Sequence, residues 1–112
     1  MDEKLVTGWL LSFYGPLLTD RQQKLLALYC EEDFSLSEIA QREGISRQGV
    51  YDTVRKGARQ LESYEAQLGL LARYRRLTQG LHEGLDALRD APGAQAQQAR
   101  EILERLLSQE EE

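Results

Sequence analysis

The chain has 112 residues with a formal net charge of −5, 41% hydrophobic residues, two prolines, one cysteine and one histidine. That length suits one domain with a modest core rather than two. The composition excludes a disordered chain, a disulfide scaffold and a generic polyanion binder. Leu, Gln, Glu, Arg and Ala dominate, a mixture that favours helix, and no alternating apolar–polar run argues for a strand.

In chain order, residues 3–14 read as a first helix, with Val6, Trp9, Leu10 and Phe13 at helical spacing and Gly15-Pro16 as the stop. Trp9, Phe13 and Tyr14 read as core aromatics. Thr19 can cap a second helix over residues 20–32, with Leu25, Leu28 and Tyr29 inward and Leu26 flanking. Glu31-Glu32-Asp33 then reads as a solvated acidic loop, with a partner-facing acidic patch as the alternative.

Residues 35–59, SLSEIAQREGISRQGVYDTVRKGAR, read as a helix-turn-helix. Ser35 and Glu38 have the spacing of a capping box, in which each side chain bonds the other residue's backbone N–H. Leu36, Ile39 and Ala40 share one face, and Ala40 is small where a second helix must come close. Gly44 can take the left-handed conformation that ends a helix sharply, Ile45 plugs the corner, and Ser46 caps the next helix. Val50, Val54, Gly57 and Leu61 continue the inward stripe, with Gly57 at a close helix contact.

Beyond it, Leu61, Tyr64, Leu68, Leu71, Tyr74, Leu77, Leu81, Leu85 and Leu88 recur at steps of three or four. The second motif helix either runs on into a long amphipathic arm or breaks near Gly69 or Gly80. Ala91-Pro92-Gly93 is a clear break. A last helix follows over residues 94–108, with Ala99, Ile102, Leu103 and Leu106 inward. The sequence thus reads as a single structural domain made of a helix-turn-helix part, residues 1–60, and a helical arm continuous with it, residues 61–112. So long an apolar stripe must fold back on the chain or pair with another copy, and a homodimer is expected.

No stretch approaches the roughly 20 apolar residues of a membrane span. The acidic start is unlike a signal peptide, and together with the lone Cys30 it predicts a cytoplasmic protein. Cys30 reads as a small buried hydrophobe. His82 stands alone, Glu83 and Asp86 read as a solvated face, and there is no phosphate loop. The sequence therefore offers no catalytic, metal or cofactor constellation, and the expectation is a protein that is not an enzyme.

Charge is unevenly spread. Residues 35–60 carry five basic and three acidic side chains, and the segments on either side are net acidic. The helix-turn-helix is the one net-basic segment, as a phosphate footprint requires. With Val50 inward, a turn of about 100° per residue places Gln48, Asp52, Arg55 and Arg59 outward, flanked by Tyr51 and Lys56, with Arg47 at the helix start. In a reading helix, such N-terminal residues meet base edges while neighbouring cations hold phosphates. Gln48 suits adenine, Arg47 guanine or a phosphate, and Asp52 cytosine. The competing reading is a tri-helical scaffold with a neutral surface that serves as a protein–protein assembly module. A third is a sequence-specific DNA-binding transcription regulator.

The run LTDRQQKLLALYCEEDFSLSEIAQREGISRQGVYDTVRKGARQLE resembles region 4 of bacterial sigma factors, which binds promoter DNA. The opening WLLSFYGPLLTDRQQKLLALYCEEDFSLSEIA and the run SRQGVYDTVRK are similar, more closely, to the YlxM-like helix-turn-helix proteins. The likeness covers about Leu10 to Tyr74 and more loosely the arm. It implies an all-α, sigma-region-4-like fold. It also implies a regulatory part in the signal recognition particle pathway, beside whose GTPase and receptor genes that family's genes lie, with contact to the particle's RNA or its GTPase. Gly49 departs from the helix former expected there, at a cost of about 0.5–1 kcal/mol.

Overall fold

The computed structural model describes residues 3–111, and among them the fold is all-α, with no strand. The elements are α1 (Glu3–Tyr14), a 3-10 turn (Gly15–Leu17), α2 (Asp20–Cys30), α3 (Leu36–Glu43), α4 (Arg47–Leu68), α5 (Leu70–Ala87) and α6 (Ala94–Glu110). Among the described residues no helix is long and apolar enough to cross a membrane. The chain divides into two compact units, one ending at Leu71 and the other beginning at Ala72. Residue 60, where the sequence places the division, falls inside α4.

In the first unit α4 packs against α1, α2 and α3. The local signals decide where each helix begins. Thr19 accepts a bond from Gln22 N–H and Gln22 Oε1 accepts one from Thr19 N–H, both at 3.2 Å, a capping box that also explains how Gln22 is tolerated in the core. The Ser35–Glu38 box closes in the same way, both bonds at 3.1 Å. Gly44 ends α3 at φ 69°, and Ser46 Oγ starts α4 by accepting Gly49 N–H at 2.9 Å. Lys24 of α2 meets Glu43 at the end of α3 at 2.9 Å. Leu25, Leu28, Ile39, Ala40 and Val50 form one cluster beneath this turn, with Ile45 packed against it.

In the first unit two inward faces differ from the expected ones. In α1 the buried residues are Leu10, Leu11 and Tyr14, whereas Trp9 is 39% exposed. The face is rotated because Tyr14 finds hydrogen-bond partners inside, so the phenol rather than the indole can be buried. In α2, Leu26 is fully buried rather than flanking. It can sit there because α4 presents Gly57 to it: a Cβ added at Gly57 would fall 2.7 Å from Leu26 Cδ1.

Of the two glycines where α4 was expected to end or run through, Gly69 is the break, at φ 65°, and Gly80 lies inside α5. In the second unit α6 runs back alongside α5. Tyr74 OH reaches Glu110 O at 3.4 Å, and near the other end Arg100 donates to Leu88 O at 2.6 Å and Ala91 O at 2.8 Å. The expected α6 face is shifted by about one residue. Leu107 is buried and Ala99 and Leu103 are half-buried, while Ile102 and Leu106 are exposed. Leu103 packs over Gly84 of α5, where an added Cβ would lie in ordinary contact with it at 3.7 Å.

Candidate nucleic-acid interface

Helix α4 separates its side chains cleanly. Val50, Gly57 and Leu61 are buried. Arg47, Gln48, Tyr51, Asp52, Arg55, Lys56 and Arg59 are all exposed. The Ser46 cap sets where this face begins, since it fixes Arg47 as the first helical residue. Gly49 lies against that cap: an added Cβ would come 3.1 Å from Ser46 Oγ, so a helix former there would crowd the cap bond.

The exposed side chains are partly organised by bonds among themselves, one helical turn apart. Gln48 Nε2 donates to Asp52 Oδ1 at 2.9 Å. Arg55 Nη1 donates to Tyr51 OH at 2.9 Å, and its guanidinium lies 5.9 Å from the Tyr51 ring centroid. Tyr51, Arg55 and Arg59 also line a groove of about 640 Å³, facing Glu3, Lys4 and Thr7 of α1 and Tyr29 of α2.

Sequence spacing on α4 gives no sign of this α1 wall, which comes from another helix. Its organising contact is an ion pair between Lys4 and Asp33, with the Lys4 ammonium 4.4 Å from the centre of the Tyr29 ring. The hydrogen bond from Lys4 holds the Asp33 carboxyl below the usual carboxylate range, and the same bond raises Lys4 above the usual lysine value. The acidic loop is therefore exposed, as expected, but one of its carboxylates ties down the start of α1. Cys30 is half-buried, and burial pushes its thiol up, away from the reactive thiolate. Among the described residues no group of three or more His, Cys, Asp or Glu side chains is placed to hold a metal ion.

Two helices joined by a three-residue turn, the second capped at its start and polar on its outer face, define a helix-turn-helix protein. The chain belongs to the UPF0122 family, whose model, described as "Putative helix-turn-helix protein, YlxM / p13 like", matches residues 1–105. It is similar to a UPF0122 protein of Symbiobacterium thermophilum, at 44% identity over 80% of this chain and 84% of that protein. A UPF0122 protein of Geobacillus kaustophilus is 38% identical over 93% of this chain and 94% of its own length. One from Lacticaseibacillus casei is 49% identical over 70% of this chain and 66% of its own length.

Proposed function

We propose that this protein is a non-enzymatic, cytoplasmic regulator that binds nucleic acid through the outward face of α4 and acts in the signal recognition particle targeting pathway. One observation carries the reading. The four side chains that the helix-turn-helix spacing directs outward, the two that flank them and Arg47 at the helix start are all exposed on one capped helix, inside the one net-basic segment of an otherwise acidic chain. Arg47, Arg55, Lys56 and Arg59 supply the cations for phosphates, and Gln48 and Asp52 the polar groups for bases. The particle's RNA and its GTPase are the partners that the likeness to YlxM-like proteins suggests. A homodimer is supported by large apolar side chains left exposed in each unit, Leu68 in the first and Leu77, Ile102 and Leu106 in the second.

The assembly-module reading has one observation in its favour: Asp52 sits within the face and holds Gln48, which puts a negative charge where phosphate would approach. A salt series separates the two readings. Labelled signal recognition particle RNA and random duplex DNA are titrated with the full chain. Each phosphate contact releases counterions, so three or four contacts give a log–log slope of roughly −3. Arg55→Ala and Arg59→Ala each flatten it by about one unit. Failure of both nucleic acids to bind at low salt, or two arginine variants that match the parent, makes the motif a scaffold. Preference for a particular duplex over the RNA supports the transcription-regulator reading instead.

A further inference from the structure

The exposed face of α4 has two parts. Arg47, Gln48 and Asp52 belong to its N-terminal end, outside the groove, whereas Tyr51, Arg55 and Arg59 line the groove against the first half of α1. The shapes suit different ligands. Bases in a duplex present only their edges, from inside a groove about 12 Å wide that a protruding helix must enter. Side chains lining a concavity cannot be carried into that groove, and they meet a base only if the base leaves its stack.

The lining fits such a base. Leu36, Val54 and Ala58 form an apolar surface, and the rings of Tyr29 and Tyr51 border it. Its volume of about 640 Å³ lies within the range of small-ligand sites, about 300–1,000 Å³. Arg55 donates to the Tyr51 hydroxyl at 2.9 Å, which sets the cation beside that ring. Resting on the nucleic-acid reading above, we infer that this groove receives an unpaired nucleotide from a single-stranded stretch, its base stacked on Tyr51 and its flanking phosphates held by Arg55 and Arg59. Glu3 and Glu62 also border the groove. They repel phosphate, so the groove takes a short unpaired segment, as in a loop or bulge, rather than a strand that tracks along it.

The test uses the full chain and four probes at low salt, followed by fluorescence anisotropy: a short unpaired RNA, the DNA of the same sequence, that RNA with an abasic central position, and the matching duplex. An unpaired RNA or DNA binds more tightly than the duplex, and comparison of the two identifies the sugar preferred. Tyr51→Ala weakens binding of the unpaired strand by about 5- to 100-fold, the worth of one base–aromatic stack. Tyr51→Phe, which keeps the ring, retains most of the affinity. The abasic strand binds the parent as weakly as the intact strand binds Tyr51→Ala. If Tyr51→Ala does not fold, the abasic comparison on the parent protein decides the matter. Tighter binding of duplex than of either unpaired strand, or an abasic strand that binds like the intact one, overturns the inference and leaves the wider nucleic-acid reading standing. Binding of an acidic peptide in the groove, with no nucleic acid bound at all, overturns both.

Discussion

Tyr14 is 1% exposed, yet its hydroxyl is fully used. It donates to Glu65 Oε1 at 2.7 Å and accepts Leu70 N–H at 3.0 Å, and the same Glu65 oxygen accepts Leu71 N–H at 3.0 Å. Two backbone donors at the start of α5 are thereby capped by side chains from α1 and α4. Tyr14→Phe would strip the part-buried Leu70 N–H of its acceptor, and we expect a loss of about 1 kcal/mol, read from the denaturant midpoint. The pH dependence has a definite sign. Burial first, and then the bond to Glu65, raise the Tyr14 phenol above the ordinary tyrosine value near 10. Above about pH 10 the unfolded chain therefore releases a proton that the folded chain keeps, and stability falls as pH rises through the folded value. Tyr14→Phe should flatten that alkaline fall, and identical slopes for parent and variant would refute the account. The ring's burial was legible in the sequence as core. The hydroxyl's task was not, because its partners lie 51 and 56 residues away.

At the scale of elements, the crossing of α2 and α4 depends on Gly57. Alanine there would gain about 1 kcal/mol in helix propensity but force a methyl onto Leu26, a fully buried side chain with little room to move. Overpacking of this kind costs about 1–3 kcal/mol, so Gly57→Ala should lower the melting temperature. Gly80→Ala, in the open interior of α5 with nothing near the added methyl, should raise it. A Gly57→Ala variant more stable than the parent would mean the helices do not cross there. The α3–turn–α4 segment was readable because each of its signals, Ser35 with Glu38, Gly44, and Ser46, acts on residues a few positions away. The register of α6 was not, because the choice between Leu103 with Leu107 and Ile102 with Leu106 is made by packing against α5, which spacing within α6 does not show. Trp9 misled for the same reason: its spacing fits a helix face, but the interior had a place for the phenol of Tyr14. The α1 side of the groove was hidden likewise, since Lys4 and Tyr29 come together only in the fold.

For the molecule as a whole, a single copy leaves large apolar side chains in solvent, Leu68 at 57% and Leu77 at 54% exposure among them. We expect self-association to a homodimer at micromolar concentration in sedimentation equilibrium, with Leu77→Glu shifting the protein towards monomer. A monomer whose mass stays constant as concentration rises would rule this out. The length of the apolar stripe was evident in the sequence. Which glycine would interrupt it was not, since Gly69 and Gly80 look alike in a helical pattern, and only Gly69 has a tyrosine and a glutamate at hand to cap the helix that follows.

The Tyr14 contact also bears on the order of events in time. Contacts within α3 and α4 join residues close in sequence and form early, whereas the bond from Leu70 back to Tyr14 closes a span of 56 residues, whose entropic cost is met only once α1 and α4 have come together. On a ribosome, where the chain emerges from its N-terminus, α5 would gain its first tertiary anchor only after the helix-turn-helix is assembled. Helices α1 and α4 thus serve as the template on which the first residues of α5 are laid down.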